Sequence, residues 1–117
     1  MIDWATVRGF GWDDGNARKS TDKHGVTQAE AEQVFFNQPL LVVPDQVFFN
    51  QPLLVVPDQQ HSGFEQRYHA LGVTDDERRL HISFTLRAAG SLIRVISARD
   101  MHRKEKIIHD QASEEQA

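Results

Sequence analysis

Residues 91–109 read Ser91-Leu-Ile-Arg-Val-Ile-Ser-Ala-Arg-Asp-Met-His-Arg-Lys-Glu-Lys-Ile-Ile-His109, and they pass directly from a strand pattern into a helix pattern. Leu92 to Ala98 is apolar and rich in β-branched residues, with Leu92, Ile96 and Ala98 on one alternating set and Ile93 and Val95 on the other. Apolar residues in both sets predict a central strand covered on both faces. Arg94 and Arg99 interrupt it, and an arginine there is costly unless its guanidinium reaches water or an anion. Met101, Lys104, Ile107 and Ile108 then follow at helical spacing, so the strand delivers Arg99 to the mouth of a helix carrying His102, Arg103, Glu105 and His109. Cations at a strand end beside a helix start make a candidate anion site.

Charge is distributed to match. The chain of 117 residues has a net charge of −4, yet residues 87–109 hold 6 basic and 2 acidic residues while residues 1–86 hold 7 and 12. A local basic patch on an acidic protein suits one phosphate-directed site and argues against a surface that coats nucleic acid throughout. The absence of cysteine excludes a disulfide scaffold and a zinc–cysteine centre, and it fits a reducing cytoplasm. No segment has the length and apolarity of a membrane span, and the length predicts one domain over residues 1–117.

Working outward, Leu80, Ile82, Phe84 and Leu86 alternate with His81, Ser83, Thr85 and Arg87, which predicts a half-buried strand with the polar set outside. Gln66 to Leu71 predicts another, with Tyr68 and Ala70 on one face and Arg67, His69 and Leu71 on the other. Phe10-Gly-Trp12 reads as a short strand. Asp13 is a helix N-cap for a helix over 14–24, and Gly25 is placed for a left-handed stop. Thr27-Gln-Ala-Glu30 is a capping box with Val26 as its staple. Trp12, Phe35, Tyr68 and Phe84 are assigned to the core, and His102 and His109 to solvated helix faces. The polar, acidic residues 111–117 are expected to be a disordered tail.

Residues 34–46, VFFNQPLLVVPDQ, recur without change as residues 47–59. This is a tandem duplication, since a solenoid needs about three or more stacked copies. Each copy carries a helix end, a breaker and a short apolar strand, but only one such transition is needed. The first Val-Phe-Phe and the second Leu-Leu-Val-Val can be used with the middle looped out. One copy can be used whole and the other extruded. The spare strand can also pair with a second subunit in a swapped homodimer. The element order predicts an α+β fold: an antiparallel sheet of about four to five strands, two N-terminal helices and one C-terminal helix.

Several motifs resemble, in order, those of the BrnT toxin family. They are Phe10-x-Trp-Asp13, Lys23-His-Gly-Val26, Glu30-Ala31 with Val34-Phe-Phe36, Val56-Pro-Asp58 with His61-Ser62, Arg67-x-x-Ala-Leu-Gly72, and Ile93-Arg-Val-Ile-Ser-Ala-Arg99 with Glu105. With one repeat copy removed, the spacing fits over roughly residues 10–109. The chain departs from the pattern at Ser20, Thr21 and His109, in its lower basicity and in the duplication. The resemblance implies a RelE-like fold, a bacterial cytoplasmic toxin of a type II toxin–antitoxin system, RNA cleavage and translation arrest. It also implies a BrnA-like antitoxin partner through which alone promoter DNA is bound.

RNA cleavage by the ribose 2′-hydroxyl needs a base, cations for the charged pentacoordinate phosphate and an acid for the leaving oxygen. It calls for no metal or cofactor. The candidate catalytic residues are Arg67, Arg99, Lys23, His24 and Glu105, and the candidate RNA-phosphate ligands are Arg94, Arg99 and Arg103. The structural alternatives are a salt bridge of Arg99 to Glu105 or Asp100, a carboxylate partner for Arg67 and Arg94, and a helix C-terminal cap for Lys23 and His24. A catalytically inactive module that binds an antitoxin or itself is the competing function.

Overall fold

Three long strands carry the fold in the computed structural model, which describes residues 2–49 and 66–116. They are β3 (Arg67–Val73), β4 (Arg79–Arg87) and β5 (Leu92–Asp100), joined antiparallel as the alternation predicts. The short β2 (Leu41–Pro44) extends the sheet antiparallel to β3, and β1 (Gly9–Phe10) pairs in parallel with β5 at the opposite edge. The order is β1-β5-β4-β3-β2. The sheet is thus mixed rather than purely antiparallel. Helices α1 (Asp14–His24) and α2 (Gln28–Phe36) separate β1 from β2, and α4 (Arg103–Gln116) ends the chain. A short α3 (Asp45–Phe49) follows β2 and ends on the Val-Phe-Phe of the second copy, which the sequence reads as a helix end.

Local chemistry explains the helix ends. Asp13 and Asn16 cap α1 reciprocally, with each backbone N–H donating to the other's side chain at 3.0 and 2.7 Å. Thr27 and Glu30 form the complete capping box of α2, and Gly25 takes the left-handed conformation at φ 66°. Ala31 and Val34 of α2 then pack onto Ala70, Ile82, Phe84, Val95 and Ala98, which form one face of the sheet. Phe35 meets Phe84 edge-on at 5.0 Å, and Trp12 and Tyr68 join the same core.

The other face is closed at one end by a second cluster of Phe48, Leu71, Met101 and Ile108, supplied by α3, β3, the connection from β5 to α4, and α4. Ala112 is also buried, and α4 continues to Gln116. Residues 111–116 are therefore helical here, where a disordered tail is expected from their polarity; an apolar contact one turn beyond Ile108 accounts for it. His109 is likewise buried rather than solvated. Its Nε2–H donates to the Pro39 carbonyl at 2.8 Å, and Arg79 reaches its Nδ1.

The first repeat copy supplies both the end of α2 and the strand β2. Of the second copy, Val47 to Phe49 form part of α3, and residues 50–59 lie outside the described residues, as does His61.

Candidate active site

Strand pairing sorts the polar residues of the second sheet face into three rows. Arg67 stands opposite Thr85, which stands opposite Arg94; His69 pairs with Ser83 and Ser83 with Ser97; Leu71 pairs with His81 and His81 with Arg99. Successive rows on one face are about 7 Å apart. Three predicted arginines thus share a face, with Arg67 and Arg94 at one end and Arg99 at the other. A bulge after Ser83 keeps this alignment: Phe84 pairs with Val95, so Ile96 is passed over and Arg94 returns to the polar set.

Arg99 and Glu105 form the tightest element. The guanidinium donates to both carboxylate oxygens at 2.8 Å, and the backbone N–H of His102 donates a third bond at 2.8 Å. The Glu105 side chain is only 2% exposed. Burial alone raises its pKa, but the bonds from Arg99 and His102 and the charges beside it outweigh this and hold it below the ordinary carboxylate value. The pairing named as an alternative for Arg99 is the one that forms, and it brings two predicted residues together.

Arg94 is bound to Asp13 at 2.8 Å and remains partly open. Arg67 is half-buried and makes no ion pair among the described residues. Arg103 is exposed in the first turn of α4. Lys23 and His24 are exposed at the end of α1, away from the Arg67–Arg94 row. The carbonyls of His24 and Gly25 accept from Arg78, whose guanidinium also holds Asp100 and Glu30, so this helix end is fixed beside the end of β5.

Four functional groups escape the sequence reading. His69 and His81 are 5% exposed each, although alternation places them on a solvated face. Their rings contact diagonally across the strand pair, Nδ1 of His69 to Nε2 of His81 at 2.8 Å. Asp45 reaches Nε2 of His69 at 2.5 Å, and Ser83 lies 3.3 Å from Nδ1. Phe48 stacks over both rings, at 4.2 and 5.0 Å. Burial pushes His81 down to about 3, and burial likewise outweighs the pull of Asp45 and lowers His69. Two histidines offset by twelve residues around a turn are the only available signal, and it needs the register to be interpreted.

The face therefore combines three arginines, a fixed carboxylate and two imidazoles whose burial disfavours their charged form. No curated protein matches the chain. The family described as the ribonuclease toxin BrnT of type II toxin–antitoxin systems matches residues 45–105, just over half of the length, and the match runs through the second repeat copy and on to Glu105. Among the described residues no helix is long and apolar enough to cross a membrane. From this match and the α+β fold that carries the matched residues, the chain belongs to the BrnT family of ribonuclease toxins, whose type II systems pair each toxin with an antitoxin.

Proposed function

We propose that this chain is a metal-independent endoribonuclease that arrests translation in the bacterial cytoplasm, working on the sheet face that carries Arg67, Arg94 and Arg99. The observation that carries this reading is the placement of three arginines on one face with the Glu105 carboxylate held against one of them. Arg67 and Arg94 receive the RNA phosphates, with Arg103 extending the cationic surface, because a guanidinium grips two phosphate oxygens and keeps its charge. Arg99 turns from Glu105 to the reacting phosphate and stabilises its added charge. Glu105, having lost its cation, takes the 2′-hydroxyl proton. His24 and Lys23, held beside Asp100, are the candidates for protonating the leaving 5′-oxygen. A BrnA-like antitoxin covers this face and carries the contacts to promoter DNA.

The full chain is tested on RNA in excess EDTA and by inducible expression in bacteria. Cleavage that leaves 2′,3′-cyclic phosphate ends, lost in Arg67→Ala while the fold is retained, supports the reading. Cleavage that needs magnesium, or ends that carry a 3′-hydroxyl, overturns it. Arg67 is the residue of choice because its removal orphans no carboxylate among the described residues. A second reading is a catalytically inactive module that binds an antitoxin or a second copy through its duplicated strand. The existing pairs Arg99–Glu105 and Arg94–Asp13 favour it, and absence of arrest from the folded chain would leave it ahead.

A further inference from the structure

The ribonuclease reading uses Glu105 and Arg99 but leaves the buried pair behind them without a task. Asp45, His69 and His81 form an unbroken series of contacts from the sheet edge to within 3.8 Å of Glu105. We propose that Asp45, His69 and His81 are a proton relay ending on Glu105, in which the two histidines act as positioning residues that clear the proton Glu105 takes up.

Geometry sets the direction. Asp45 accepts from Nε2–H of His69, which leaves Nδ1 of that ring bare to accept from Nε2–H of His81. Nδ1 of His81 is then bare as well, and it is the one buried side-chain polar atom without a partner among the described residues. It faces Oε2 of Glu105 at 3.8 Å, too long for a hydrogen bond. Two bare acceptors facing each other in a dry site repel, and one proton placed between them removes the conflict. Arg99 prevents this in the resting state by holding both oxygens of Glu105.

When Arg99 leaves for a phosphate, Glu105 becomes the stronger base. A proton on Glu105 passes to Nδ1 of His81, the Nε2 proton of His81 passes to Nδ1 of His69, and the Nε2 proton of His69 passes to Asp45. Glu105 is a carboxylate again, both rings have exchanged tautomers, and Asp45 holds the proton. The Asp45 side chain is 15% exposed, so it can release that proton to water. Among the described residues, the charged or titratable groups that act on His81 belong to this scheme or flank it: Glu105 from α4, His102 just before it, Arg99 from β5 and His69 from β3. Phe48 lies over both rings and keeps water from short-circuiting the path.

The test reads the ring nitrogens of the full chain by nitrogen–proton correlation. The relay itself needs no activity; only its role in cleavage rests on the ribonuclease reading. In the native protein both rings should carry their proton on Nε2. In Arg99→Gln the cluster should take up one proton, His81 should gain a proton on Nδ1, and the His69 proton should move from Nε2 to Nδ1. A His69 ring unchanged in the folded variant overturns the relay. Should Arg99→Gln not fold, acid titration of the native protein decides: both rings responding at each macroscopic step supports the relay, and each ring responding only to a step of its own overturns it. In RNA cleavage, His81→Gln should lower kcat about tenfold at unchanged KM, less than the hundredfold or more of losing a direct base. Unchanged kcat there removes the catalytic role. A chain that cleaves no RNA at all sinks the ribonuclease reading and leaves the ring resonances to judge the relay.

Discussion

Phe48 lies flat on His69, with the ring centroids 4.2 Å apart and the planes 11° apart, and the same ring covers His81 at 5.0 Å. Phe48 belongs to the second repeat copy, so the duplication has supplied the wall of a buried site. Its side chain is 4% exposed and packs with Leu71, Met101 and Ile108. Phe48→Ala should therefore cost about 3 kcal/mol or more, by lost burial and the cavity left behind. Urea unfolding at neutral pH measures it. A loss within about 0.5 kcal/mol, typical of a surface site, would mean that Phe48 is not seated on the histidines.

The same histidines make stability sensitive to acid. His81 is pushed down to about 3 from an ordinary 6.5, and His69 is lowered too. Below pH 6.5 the unfolded chain therefore binds protons that the folded chain refuses. Their contribution is complete above pH 6.5 and is lost as pH falls from there towards the folded values. Each such proton gives a slope of about 1.4 kcal/mol per pH unit. Glu105, also lowered, adds a further loss as pH falls through the ordinary carboxylate range and below. Unfolding midpoints should be flat from pH 8 to about 7 and fall steeply by pH 5. The slope between about pH 6 and 5 should be reduced in His81→Gln. An unchanged slope there would show that His81 is not the refused site.

Much of this architecture is legible in the amino-acid sequence, because local rules and tertiary packing agree. The capping box at Thr27, the stop at Gly25 and the alternation through Leu80–Leu86 each specify an element that forms as expected. The α+β class follows from their order. Legibility fails where burial is decided by partners distant in sequence. His69, His81 and His109 sit at positions that alternation or helical spacing gives to solvent, and α3 and α4 bury them by folding over that face. The parallel pairing of β1 with β5 is hidden in the same way, since its register is set by contacts between residues 9–10 and 92–93. The arginines are readable as a set, but their shared face depends on a bulge that moves Arg94 into line.

Gly72 tests the fit of α2 to the sheet. A Cβ at this position would stand 2.8 Å from Cγ1 of Val34, 3.3 Å from Cδ1 of Leu40 and 3.4 Å from the Val34 carbonyl oxygen. Val34 is fully buried, and its branched side chain has one preferred rotamer in a helix, so it cannot swing aside. Gly72→Ala should push α2 off β3 and cost about 1–3 kcal/mol, as overpacking does. Because the polar rows lie on the opposite face, RNA cleavage by the folded fraction should change little. A fully stable Gly72→Ala protein would show that the helix sits further from the sheet.

Deleting residues 34–46 or 47–59 yields one and the same chain, because the copies are identical. The strand beside β3 and the aspartate that reaches His69 are then supplied by the remaining copy. The third residue after that aspartate changes, however. It is Phe48 in the intact chain and becomes His61 in the shortened one. The aromatic cover over the histidine pair is lost, which by the Phe48 estimate removes about 3 kcal/mol. Against this, shortening the connection to β3 by thirteen residues returns only about 1 kcal/mol of loop-closure entropy. The shortened protein should fold with the same sheet and be less stable by about 2 kcal/mol, the difference of the two terms. It should also cleave RNA more slowly, because His69 and His81 lose the apolar ring that keeps water from them. Urea midpoints and cleavage rates of the two folded proteins decide the matter. Equal stability would show that the second copy contributes nothing to the fold, and an equally fast or faster shortened enzyme would show that the Phe48 cover does not serve cleavage.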